Sequence, residues 1–182
     1  MRYPPLKPNE LTPRQREVAA AIANSRDDGF SGAYVPLTYS PEVADRVRLL
    51  GEQLRFHLRV PERLRVLAIL VAAGRHRSSD LEHFAHLDMV KRSGLATAKI
   101  AALSEGRRPS KMKEDEEMVY DYCTELIRTG RVRNATFDRA ANRFGREICL
   151  ELVKVCGYTL FLTTVINVTQ RRLSVRYSRA PF

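Results

Sequence analysis

Apolar residues recur along this chain at the three- and four-residue spacing of helices, and no stretch alternates as a half-buried strand does. The first stripe is Val18, Ala19, Ile22 and Ala23, opened by Thr12 as a cap and Pro13 at the first helical position and ended by Asp27, Asp28 and Gly29. Residues 30–39, rich in Gly, Pro and aromatics, predict a connecting loop. Ser40 and Pro41 then start a second helix with Val43, Val47, Leu50 and Leu54 as its stripe. After Pro61, residues 64–73 are apolar on nearly every side, which places that helix in the core.

Ser78 or Ser79 caps a helix over residues 80–93, with Glu82 at the capping-box position for Ser79 and Gly94 closing it. A short helix over 96–103 and a solvated linker over 105–113 follow. Residues 114–128 predict a helix with Met118, Tyr122, Cys123, Leu126 and Ile127 inside, and Asn134 or Thr136 caps another that runs through Phe144. Beyond Gly145, Ile148, Cys149, Leu152, Val153 and Val155 continue the pattern, and residues 157–167 read as a further buried helical piece. The expectation is an all-α chain, with no heptad run long enough for a coiled coil. We read residues 1–182 as a single domain, with an extended arm over 1–10 and a tail over 173–182 suited to gripping a neighbouring subunit.

At 182 residues the chain can bury one sizeable core without cross-links. Its three cysteines, Cys123, Cys149 and Cys156, are an odd number, lie within apolar segments and form no CxxC pair, so they read as reduced core thiols in a cytoplasmic protein. The N-terminus has no apolar run behind its charge and is not a secretory signal. The longest uncharged stretch, residues 155–170, contains Gly157, Asn167 and four threonines. It falls short of the ~20 apolar residues a membrane span needs, so no membrane partner is expected. A formal charge of +10 raises the question of nucleic acid. The 25 arginines, however, are spread over the whole length and the aromatics fall mostly at core-type positions rather than between basic residues. That distribution argues for no nucleic-acid partner and leaves two readings, a solvated surface with a compositional bias toward arginine or a field that draws in small anionic substrates.

Candidate chemistry concentrates in residues 76–86, which hold three of the four histidines. Glu82 and His86, four residues apart, share one face of a helix. An exposed pair at that spacing is worth only ~0.3–0.5 kcal/mol as structure. Asp80, Glu82, His83 and His86 carry metal-ligating atoms, but His83 and His86 would need further ligands from elsewhere, and the reading taken is that no metal is bound. His76, in a basic turn, reads as solvated, and His57, near a helix end, as structural.

The runs over 63–73 and 81–86, then Ser93-Gly94-Leu95 and residues 100–103, resemble in order the carboxymuconolactone decarboxylase-like family, whose fold is shared with the alkylhydroperoxidase AhpD. Leu11-Thr12-Pro13, residues 40–44 and Gly157-Tyr158 agree with it. The resemblance implies an AhpD-like helical bundle assembled as a homotrimer or hexamer, with active sites near subunit contacts. Its peroxidase branch has a CxxC pair followed by a histidine; here those two cysteine places hold Ser79 and Glu82, which cannot act as thiolates. Its decarboxylase branch has a glutamate four residues before the histidine, as Glu82 stands to His86.

The implied function is a cofactor-independent decarboxylase or related lyase for a small anionic lactone or keto acid. His86 would be the general acid or base, Glu82 would orient it or act as the base, Arg75 would hold the substrate carboxylate, and His83 would face the same pocket. The chain departs from the family at His83, where a tryptophan is common, at Val66, where a helix glutamate is common, and by one extra residue between Val66 and His86. Those departures keep a second reading open, a catalytically decayed member that serves as an oligomeric scaffold.

Overall fold

The computed structural model describes residues 2–25, 29–30, 32–75 and 88–169. Among these are nine α-helices and no strand, which is the all-α architecture expected. The chain divides into two compact units, Met1–His57 with Thr164–Phe182 and Leu58–Thr163.

The first unit contains α1 (Pro13–Asn24), α2 (Tyr34–Leu37) and α3 (Pro41–Phe56). Thr12 caps α1 as anticipated: its hydroxyl accepts from Gln15 N at 3.2 Å, and the Gln15 side chain accepts from Thr12 N at 2.9 Å. Val18, Ala19 and Ile22 pack with Phe30, Tyr34, Val35 and Ala44. Two expectations change here. The supposed loop over 30–39 contains the short helix α2, whose Tyr34, Val35 and Pro36 are buried, because its aromatic and β-branched residues close this small core. The inner face of α3 is Ala44, Gly51 and Leu54, whereas Val43 and Leu50 are each 48% exposed. Small residues at that face let α3 lie close against α1, and the bulkier ones are turned outward. Ser40 precedes α3 without capping it, since its side chain makes no bond to the first turn.

The second unit is built around α4 (Glu62–Arg75), with α5 (Asp88–Arg92), α6 (Thr97–Ser104), α7 (Glu114–Thr129), α8 (Asn134–Phe144) and α9 (Arg146–Thr169), which ends in the first unit. Leu64, Val66, Leu67, Ala68, Leu70, Val71 and Ala72 of α4 are almost wholly enclosed. They share one apolar cluster with Val119, Tyr122 and Cys123 of α7 and Cys149, Leu152, Val155 and Cys156 of α9. At roughly 25 cal/mol per Å² of apolar surface, this cluster is the main source of the unit's stability.

Helix α9 is unbroken where two pieces were expected. A Cβ at Gly157 would meet nothing within 4 Å. That glycine therefore costs the helix only about 0.5–1 kcal/mol of backbone entropy and does not end it. By length and composition α9 is the one described helix that could cross a membrane; its Cys149, Leu152, Val155 and Cys156 are buried in the apolar cluster, while Leu150, Phe161 and Val168 are exposed. Neither Asn134 nor Thr136 caps α8. Arg133 occupies the cap position, and its backbone N–H donates to Glu125 of α7 at 3.1 Å.

Candidate functional site

The residues singled out for chemistry hang between two described helices, α4 and α5. Glu82, His83 and His86, and with them Ser79, Asp80 and His76, lie outside the described residues, as does the Arg75 side chain. The geometry available is that of the frame from which this segment departs and to which it returns, and α4 is fixed at three places along its length.

The turn before α4 is held by a carboxylate from α9. Glu151, 8% exposed, accepts from Val60 N at 2.8 Å and from Arg59 N at 3.0 Å, satisfying two backbone donors of the turn that leads into α4. In the first turn of α4, Arg63 reaches α7, donating to Asp115 at 2.6 Å and to Glu116 at 2.5 Å. Glu116 also accepts from Lys99 Nζ of α6 at 2.6 Å and from Lys113 N at 2.8 Å. Burial pushes the Glu116 carboxyl up, but its bonds from Lys99, the Lys113 backbone and Arg63 outweigh this and hold it below its ordinary range. A carboxylate with two cations and a backbone donor on it is not free to take a proton from a substrate. Its role is to tie three helices together.

The third fixed place is the far end of α4. Gly74 lies so close to α6 that a Cβ there would stand 2.3 Å from the Leu103 carbonyl oxygen and 3.5 Å from Gly106 Cα. Only glycine permits that approach. On the return side, Gly94 adopts φ +75° directly after Ser93, the left-handed conformation that glycine supplies beyond a helix end and the role expected of it.

Val66, where the resembled family has a glutamate, is fully buried within the apolar cluster. A carboxylate at that place would need a partner to offset its desolvation, so valine suits the packing that surrounds it. His57 is the histidine among the described residues; it ends α3 and is exposed.

Cys123, Cys149 and Cys156 are buried and unbridged, as expected of core thiols. A hydrogen bond with the Cys156 thiol, then burial, pushes the Cys123 thiol well up, and burial raises Cys149. Burial also pushes the neighbouring Tyr122 hydroxyl up to about 12. Among the described residues no cluster of three or more His, Cys, Asp or Glu side chains is placed to hold a metal ion.

No protein-family model and no curated protein matches the chain. Solved structures do. The debrominase Bmp8, in its apo form, superposes with a TM-score of 0.68 at 15% identity over 94% of this chain and 91% of its own. A cysteine-to-alanine variant of Bmp8 in complex with 2,3,4-tribromopyrrole gives a TM-score of 0.70 at 14% identity over 97% and 93%. The likeness is one of fold. It supports the all-α fold over nearly the whole chain, and at this identity it carries no residue roles across.

The buried carboxylate Glu116 was not anticipated from the sequence, which marks residues 114–128 only as a helix with Met118, Tyr122, Cys123, Leu126 and Ile127 inside. The signal that marks it is position: it is the third residue of α7, where a glutamate turns back onto the backbone N–H of the cap residue Lys113.

Proposed function

We propose that the chain is a carboxymuconolactone decarboxylase-like enzyme, a cofactor-independent decarboxylase or related lyase acting on a small anionic lactone or keto acid. The observation that carries this reading is an AhpD-like bundle whose connection between α4 and α5 bears a glutamate and a histidine four residues apart. Loss of carbon dioxide leaves an electron pair that an unsaturated lactone or keto acid accepts into its own carbonyl system. The protein then has to hold the carboxylate and deliver a proton to carbon. In this proposal Arg75 holds the carboxylate through paired N–H donors, His86 gives the proton, Glu82 orients the imidazole, and His83 lines the same pocket. The active form is a cytoplasmic homotrimer or hexamer that binds neither nucleic acid nor membrane.

Thiol chemistry is left out of this proposal. Ser79 and Glu82 occupy the places of the peroxidase branch's cysteines, and the three cysteines present are enclosed in the core. The same enclosure keeps a thiol-dependent debromination out of the reading. A second reading, an oligomeric scaffold that has lost catalysis, draws on Val66 being packed as an apolar core residue where the family has a carboxylate.

Carbon dioxide release from a panel of lactones and β-keto acids separates the two. The enzyme reading expects turnover of at least one compound and a fall in kcat of about 10²–10⁴ in His86→Ala, the range for loss of a general acid or base. Unchanged turnover in His86→Ala would refute the assignment, and inertness toward the whole panel would favour the scaffold.

A further inference from the structure

A broad groove of about 1080 Å³ runs over the second unit between α7 and α8, and nothing in the proposed chemistry uses it. Five arginines line it against two carboxylates, Asp121 and Glu125. The two carboxylates are already engaged. Asp121 pairs with Arg108 at 2.5 Å and Arg139 at 3.6 Å, and the Arg108 guanidinium also lies 4.8 Å over the Tyr120 ring. Glu125 accepts from the Arg133 backbone N–H at 3.1 Å, from Arg133 Nε at 2.5 Å and from the Thr136 side chain. Glu125 thereby meets the need of the α8 start for a negative group, so that helix end is not itself vacant for a ligand.

Arg128 and Arg131 remain. Their side chains take no hydrogen bond, ion pair or ring contact among the described residues, and both line the groove. Its positive charge is thus uncompensated at one end, the end of α7. The groove's apolar lining comes from Met118 of α7 and from Val132 and Ala135, which follow Arg131 in the chain. From Arg128 back to Met118 is ten residues along α7, a reach of about 15 Å at the helical rise of 1.5 Å per residue.

We propose that this groove binds a free amphiphilic organic anion, with a phosphate or carboxylate head on Arg128 and Arg131 and an apolar body laid along α7 toward Met118. Two guanidinium groups without partners among the described residues offer paired donors to such a head, and the apolar lining rewards a body that inorganic anions lack. A polynucleotide fits less well, because its repeating phosphates would run past Asp121 and Glu125.

Calorimetry on the full chain tests this with octyl phosphate below its micellar concentration, inorganic phosphate, a single-stranded RNA and phosphatidic acid vesicles as probes. The expected result is saturable binding of octyl phosphate at least tenfold tighter than inorganic phosphate, weakened at least tenfold in the Arg128→Ala/Arg131→Ala double variant. Both residues are exposed, so the variant keeps its fold, which circular dichroism checks. A separate Val132→Asn variant is expected to weaken octyl phosphate and leave inorganic phosphate unchanged. The proposal is overturned if octyl phosphate binds no better than inorganic phosphate, or if the double variant binds it as the parent does. Preferential, arginine-dependent binding of the RNA or of the vesicles overturns it as well.

Discussion

Replacing Glu116 by glutamine removes one charge from the ion network that joins α4, α6 and α7 while keeping the side chain's size and one acceptor oxygen. The Glu116 side chain is 2% exposed, that of Lys99 13% and that of Arg63 22%. Breaking a buried pair by deleting one partner costs about 3–5 kcal/mol, mostly because the other charge is stranded. Here Arg63 keeps Asp115 at 2.6 Å, and glutamine can still accept from Lys113 N, so Lys99 is the group left stranded. The loss expected for Glu116→Gln is therefore at the lower edge, about 3 kcal/mol, or a fall in Tm of roughly 6–12 °C for a chain of this size.

Urea unfolding followed by circular dichroism measures it. Adding Lys99→Met removes the stranded ammonium, and the double variant is expected to recover a large part of the loss. The pH dependence has a definite sign. Glu116 is held below its ordinary value in the folded state, so its contribution is complete above the unfolded carboxyl value of about 4.3 and is lost as pH falls through the lower folded value. The parent should lose stability over that acid window, and Glu116→Gln should lose less. A cost under about 1 kcal/mol, or no recovery in the double variant, would mean that water screens the network and that it does not bind the helices together.

Gly74→Ala places a methyl 2.3 Å from the Leu103 carbonyl and should destabilise by about 1–3 kcal/mol, read as a drop in Tm; an unchanged Tm would show that α4 and α6 separate at little cost. The three enclosed cysteines should resist a thiol reagent at pH 8 in the native protein and all react in denaturant; rapid native labelling would place at least one at the surface.

The helices were legible where a local device sets them. Thr12 as the cap of α1, the apolar faces of α4 and the glycine at 94 each act within a few residues, and each is where the sequence puts it. What escaped depends on partners distant in the chain. The inner face of α3 is decided by Ala44, which packs in the cluster with Val18, Ala19 and Ile22 of α1, together with the buried Gly51 and Leu54, and hydrophobicity alone selects Val43 and Leu50 instead. Glu116 is buried because Arg63, 53 residues before it, and Lys99, 17 before it, converge on it. The groove escaped for the same reason: arginines dispersed along the chain look like compositional bias until α7 and α8 bring five of them to one surface. For the candidate site, the sequence supplies Glu82 and His86 at a four-residue spacing, and both lie outside the described residues.

Catalysis by the α4–α5 connection would require a rigid point of departure, since a proton donor displaced by about 1 Å can forfeit 10²-fold in rate. Helix α4 has the means to provide one. Its leading turn is fastened by Glu151, its first turn by Arg63 to Asp115 and Glu116, and its last turn by the contact of Gly74 with Leu103, while the residues between are packed in the apolar cluster. None of these groups is free to do chemistry, because each is already satisfied by a partner. Their expense in desolvation and in backbone freedom is consistent with a chain that spends stability on fixing where residues 76–87 begin. By the same reasoning Val66 need not signal decay. Within a helix clamped at both ends, an apolar residue one turn in stabilises the support, and on the proposed reading the acid–base work falls to Glu82 and His86.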